Sequence, residues 1–154
     1  MKTKKLGILT FHRANNFGAA LQAYAMKRVC ENLGYEVYFI RYSGYDVPER
    51  HNPIRDFLHT KDKLSGLFIL VRALMSYFGD VKRLKEFERF RKKYFQETVF
   101  CHSVDEIAAL GFDAYIAGSD QIWNDCITGG KLDSGFFLNF GSTASKIVYA
   151  ASSQ

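Results

Sequence analysis

Residues 6–25, LGILTFHRANNFGAALQAYA, decide the reading of this chain: a short apolar strand running straight into a helix. Leu6, Ile8, Leu9, Thr10 and Phe11 form a run too short and too rich in strand formers for a helix. The turn after it is polar and permissive, with His12, Arg13, Asn15, Asn16 and then Gly18. Asn tolerates left-handed backbone and its side chain accepts from helical N–H groups, so Asn15 or Asn16 is the expected N-cap. From Phe17 the pattern is helical. Phe17, Ala20, Leu21, Tyr24 and Ala25 share one face, followed by Arg28 and Val29, and this face is the expected apolar stripe. A strand feeding a helix through such a turn aims free N–H groups at the carboxyl edge of a sheet, where open α/β folds bind ligands, often anionic ones. The spaced glycines and Lys-Ser/Thr pair of a phosphate loop are absent.

Working outward, Glu31 to Tyr35 reads as a helix stop with Gly34 just past the cap. Val37 to Ile40 is a second strand, ending near Arg41 and Tyr42. Strand, helix of roughly 16 residues and strand make a right-handed crossover between parallel strands. Residues 43–53 hold both prolines and read as a loop. Residues 64–78, LSGLFILVRALMSYF, are apolar and helical in length. They are too short for a membrane span and carry Arg72, so a buried or docking helix is expected. Residues 80–95 are amphipathic, with Val81, Leu84, Phe87, Phe90 and Tyr94 as the apolar stripe. Lys82, Arg83, Lys85, Arg89, Arg91, Lys92 and Lys93 lie opposite. That basic face fits either a solvated helix or weak contact with an anionic membrane surface. Ser103 and Glu106 form a capping box opening a short helix to about Leu110.

Phe112 to Ala117 is the next strand and runs into Gly118-Ser119-Asp120-Gln121-Ile122-Trp123-Asn124. Residues 136–140 (FFLNF) and 146–150 (KIVYA) are two further strand-like runs. Three junctions, TFHRANNFG, GSDQIWN and AASS, are therefore expected along one edge of a parallel sheet. With 154 residues and 47% hydrophobic side chains, the chain is long enough for one cored domain. The net charge of +5 is too modest to imply nucleic acid and argues weakly for an anionic partner. Cys30, Cys101 and Cys126 are isolated, which fits reduced thiols and a cytoplasmic location. The basic start MKTKK before an apolar run lacks a cleavage site and reads as strand rather than leader.

Asp120 is the carboxylate of the most motif-like loop. Beside Gln121, Trp123 and Asn124 it suits a sugar: carboxylate and amides bind hydroxyls, and an indole covers the apolar side of the ring. Asp120 is the candidate catalytic residue, as a base taking a proton from an acceptor hydroxyl. The competing reading is that Asp120 caps a turn through Ser119 and Gln121 N–H groups while Trp123 is core. His12 and Arg13 are candidates for a phosphate or sugar carboxylate at the helix start, against exposed loop polarity. His51, His59 and His102 are scattered. No metal-ligand spacing, cofactor motif or nucleophile elbow is found.

The strings TFHRANNFGAALQAYAMKRVCENLGYEV, DAYIAGSDQIWN, FFLNF and KIVYAASS resemble the polysaccharide pyruvyl transferase family, with GSDQIWN as the most specific piece. The likeness spans residues 5–153, with 45–100 as variable helical insertion. It implies an α/β fold: a Rossmann-like open parallel sheet with helices on both faces, similar to the amino-terminal domain of a GT-B-type transferase. It also implies pyruvyl transfer, as a ketal, from phosphoenolpyruvate to a sugar of a cell-surface polysaccharide. This chain would give the acceptor-side half. Asn15, Asn16, Gly18 and Gln22 match the first motif. Gly118, Ser119, Asp120, Gln121, Trp123 and Asn124 match the second, and with His12 and Arg13 these are the expected site lining.

The family continues past the YAAS strand into a second α/β domain that is expected to hold the phosphoenolpyruvate. Residues 1–154 are thus expected to be a single, incomplete amino-terminal half, inactive by itself because half a cleft cannot bring donor and acceptor together. The sheet is expected to present an open edge there. The alternative function is a non-catalytic binding or assembly module that self-associates or pairs with a separate second half.

Overall fold

The structure is a computed structural model that describes residues 3–42, 81–124 and 133–153. The readings over 43–53 and 64–78, with His51, His59 and Cys126, lie outside them. By its internal contacts the chain divides into two units, Met1–Asp46 with Lys92–Gln154, and Val47–Arg91.

The first unit holds the sheet. Its elements are β1 (Lys4–Leu9), α1 (Phe17–Asn32) and β2 (Tyr35–Tyr42). After a helical run over 81–94 (α2) come β3 (Glu97–Cys101), α3 (Val104–Ala109), β4 (Ala114–Asp120) and β5 (Ser145–Ala151). All five strands are parallel, in the order β3-β2-β1-β4-β5. The central strands read as nearly continuous apolar runs because both of their faces are covered. Leu9, Ile40, Tyr115 and Ala117 join Ile107 of α3 and Phe136, Leu138 and Phe140 in one core cluster. Leu6, Ile8, Val37 and Phe39 alternate with them and face the other way, where α1 packs on β2 and β4. Tyr115 is fully buried and its hydroxyl donates to Ile107 O at 3.1 Å, so the polar tip is satisfied inside the core.

The capping predictions hold. Asn16 is the N-cap of α1, its side chain accepting from Gly18 N at 2.7 Å, and Gly34 follows the Leu33 C-cap at φ +91°. Ser103 caps α3 by accepting from Glu106 N at 3.2 Å. The Glu106 carboxylate reaches back to His102 N at 2.8 Å, one residue earlier than the ideal box.

Four expectations are corrected. The buried stripe of α1 is Ala20, Ala23, Met26 and Cys30, while Phe17, Leu21 and Val29 are exposed. Small side chains let the helix backbone lie close on the sheet, and this fit outweighs the larger apolar residues in setting the helix phase. Residues 136–140 are turn and not strand: Leu138 N donates to Gly135 O and Asn139 N to Ser134 O, with Leu138 at φ +53°. The alternating burial that mimics a strand comes from a compact plug whose Phe136, Leu138 and Phe140 point inward. β4 lies later than expected, so Gly118, Ser119 and Asp120 belong to the strand and the loop begins at Gln121. On α2, the stripe through Phe87 is as read, but Arg91 is buried, 5% exposed, and pairs with Glu88 at 2.8 Å, while Arg89 pairs with Glu86. The open basic face is therefore smaller than the charge count suggests.

Candidate functional site

The parallel register brings the three junctions to one edge. Leu9 of β1 sits opposite Ala117 of β4, and Asp120 opposite Ala151 of β5, so residues 10–16, 121–124 and 152–153 leave adjacent strands on the same side. Hydrogen bonds lace the second junction to the third: Ser152 N donates to Asp120 O at 3.0 Å, and Trp123 N to Ser152 O at 3.3 Å. The first junction is tied in through α1, where Gln22 Nε2 donates to Ser119 Oγ. Gln22 and Ser119 stand 97 residues apart, and each is a residue of a different predicted motif.

Gly118 is required where it stands. Its φ is +119°, and a Cβ there would lie 2.0 Å from Tyr149 O on the neighbouring strand. Only a bare backbone lets β4 and β5 come this close as they deliver Ser119 and Asp120 to the edge. The Asp120 carboxylate is half-buried. Its Oδ1 accepts from Gln121 N at 2.8 Å, which is the turn-capping role, while Oδ2 takes no hydrogen bond among the described residues. The turn-capping reading of Asp120 is therefore seen at Oδ1, through Gln121 N–H. Asn124 is buried, its amide donating to Gln121 Oε1 at 3.1 Å, so these two side chains brace the loop. Asn15 is half-buried, and Asn16 and Gly18 are exposed at the start of α1.

Trp123 is half-buried rather than core. Its Nε1 donates to Phe136 O at 3.2 Å, and one indole face is stacked on Phe137, with centroids 5.1 Å apart and planes 2° from parallel.

His12 and Arg13 are not exposed loop polarity. His12 is 3% exposed, packed against the Phe39 and Phe95 rings at 5.0 and 6.2 Å. Its Nδ1 lies 3.0 Å from Thr10 O and its Nε2 3.2 Å from Glu97 Oε1, so both ring nitrogens face oxygens. Arg13 Nη1 donates to both Glu97 oxygens, at 3.0 and 2.8 Å. Burial alone would raise the Glu97 carboxyl, but His12 and Arg13 outweigh it and hold the group below the ordinary glutamate range. Glu97 therefore clamps the first junction from β3. Sequence reasoning missed it, because its 97-ETVFC-101 context lies in or beside the stretch read as variable insertion and nothing local pairs it with residues 84 positions away. Phe137 was missed for a related reason: a strand through 136–140 gives no sign that one ring turns outward onto Trp123.

Cys30 and Cys101 are buried free thiols, and burial, with Glu31 and Glu106 respectively adding to it, pushes both upward. Neither is poised as a nucleophile. Among the described residues no helix is long and apolar enough to cross a membrane.

A family model described as polysaccharide pyruvyl transferase matches residues 16–153. No curated protein and no solved structure matches the chain.

Proposed function

Because the chain belongs to the polysaccharide pyruvyl transferase family, we propose that its carboxyl sheet edge binds the sugar acceptor for pyruvyl transfer from phosphoenolpyruvate, with Asp120 as the base. The observation that carries this reading is the Asp120 carboxylate. One oxygen is fixed by Gln121 N–H and the other is left open among the described residues, beside Ser119 and the Trp123 loop. A fixed carboxylate with one open oxygen can accept the proton of a bound hydroxyl. In the overall reaction two acceptor hydroxyls bond to C2 of the donor. One proton ends on the donor methylene carbon, making it a methyl, and the other leaves with the phosphate. We assign the donor pocket to a second α/β domain of GT-B type.

A screen of the chain against arrayed cell-surface oligosaccharides tests the reading. Retention of a glycan by the native chain, weakened about tenfold in Asp120→Ala with an unchanged circular dichroism spectrum, is the expected result. Equal retention by the variant would overturn it.

A second reading is favoured by β5, which pairs only with β4 among the described residues and exposes Ile147, Val148 and Tyr149. Such an edge can pair with a copy of itself or a separate second half. A chain that stays strictly monomeric at high concentration by light scattering removes self-association. Weak membrane contact through Lys82 to Lys93 is the remaining proposal, and it requires co-sedimentation with liposomes that rises with anionic lipid.

A further inference from the structure

We propose that Phe137, carried on the rigid Trp123 indole, is the apolar wall of the acceptor subsite and takes the C–H face of a pyranose ring. This rests on the acceptor-edge reading above and names the residue that does the stacking.

The turn over 133–140 sends Phe136, Leu138 and Phe140 into the core and leaves Phe137 outward, 41% exposed. An outward phenyl ring ordinarily swings between rotamers. This one lies parallel to Trp123 with centroids 5.1 Å apart. Trp123 is itself held at two points, Nε1 on Phe136 O and its backbone N on Ser152 O. The pair is thus an ordered aromatic step with its outer ring open, and an ordered surface loses little entropy when a ligand settles on it.

The indole cannot offer both faces to a sugar, since Phe137 covers one of them. The stacking role assigned to Trp123 from its place in GSDQIWN passes to its neighbour in space. Trp123 stands in the loop that follows Asp120 and Gln121, and its backbone N donates to Ser152 O, so the step shares one sheet edge with the exposed Ser152 and the half-buried Gln121 and Asp120. An apolar plate beside hydroxyl-binding groups matches a pyranose, which presents C–H bonds on one face and hydroxyls around its rim.

Trp123 is the only tryptophan in the chain, so its emission reports on the step directly. The probes are methyl β-D-glucopyranoside, methyl β-D-galactopyranoside and methyl β-D-mannopyranoside, with sorbitol as a polyol of similar hydroxyl content and no ring face. At least one glycoside is expected to change the emission saturably, with saturation-transfer NMR strongest at the C–H protons of one ring face. Phe137→Ala should weaken that binding about three- to tenfold, and Phe137→Tyr should keep it. Because Phe137→Ala alters the indole surroundings, its binding is read from the glycoside NMR signal and its fold from circular dichroism. Equal binding by Phe137→Ala, or a sorbitol response matching the glycosides, overturns the proposal. If Asp120→Ala loses the glycoside while Phe137→Ala does not, the acceptor edge stands and the Phe137 assignment falls. If the native chain binds no glycoside here but retains an arrayed oligosaccharide, the pyranose plate is again refuted, whereas silence in both assays refutes the acceptor edge as well.

Discussion

Replacing Glu97 with Ala removes the carboxylate that contacts both His12 and Arg13, and the structure sets the size of the loss. The Glu97 side chain is 21% exposed, and His12 behind it is almost wholly buried. His12 Nε2 is buried without an aligned hydrogen bond but lies 3.2 Å from Glu97 Oε1, and the loss of that contact costs about 1–2 kcal/mol. Arg13, with 36% of its side chain exposed, can rehydrate, so its share is only about 0.5 kcal/mol. The expected total is about 2 kcal/mol at neutral pH, read from the urea midpoint of the circular dichroism transition at unchanged slope. The pH dependence separates charge from packing. Because the folded Glu97 carboxyl is held below its ordinary value of 4.5, its contribution is present above that pH and is lost as pH falls through the depressed value. Native and variant stabilities should therefore converge on acidification. Glu97→Gln, which keeps the shape and one acceptor oxygen, should lose less than Ala at pH 7, and its smaller gap to native should also close on acidification. A Glu97→Ala protein within about 0.5 kcal/mol of native at pH 7, or a gap that stays constant into acid, would refute the clamp.

Gly118→Ala should be among the most damaging single changes, about 3 kcal/mol or more, since its Cβ would sit 2.0 Å from Tyr149 O and must push β5 off β4. Hydrogen exchange should show β5 amides losing protection first, and a near-native urea midpoint would contradict the close approach. Asn16→Ala removes the acceptor of Gly18 N and should cost about 1 kcal/mol, while Asn16→Asp should recover it. If both variants match native in thermal unfolding, the cap contributes nothing.

Local chemistry carries some of this fold without help. Asn16 and Ser103 cap because their short side chains reach N–H groups two or three residues ahead, and that reach is written in the sequence. The strand-helix-strand order of residues 4–42 follows from a change of apolar period and a stop at Gly34. Even the shared edge of TFHRANNFG, GSDQIWN and AASS is legible, because parallel strands must leave a sheet on one side.

What the sequence by itself determined is this set of short-range matters: element types, caps, crossover and the family to which GSDQIWN points. The tertiary structure decided which faces and partners those elements use. The phase of α1 was settled by close approach of Ala20 and Ala23 to the sheet, an outcome that periodicity cannot rank against the larger stripe of Phe17 and Leu21. FFLNF became a plug because Leu138 turns through positive φ, which an alternating apolar pattern does not reveal. His12 and Arg13 met Glu97 across 84 residues or more, and Trp123 met Phe137 across a turn, through folding alone. Side-chain reach is a few ångströms, so sequence neighbours can be read from spacing, whereas partners brought together by the chain's return are fixed only when the sheet closes the distance.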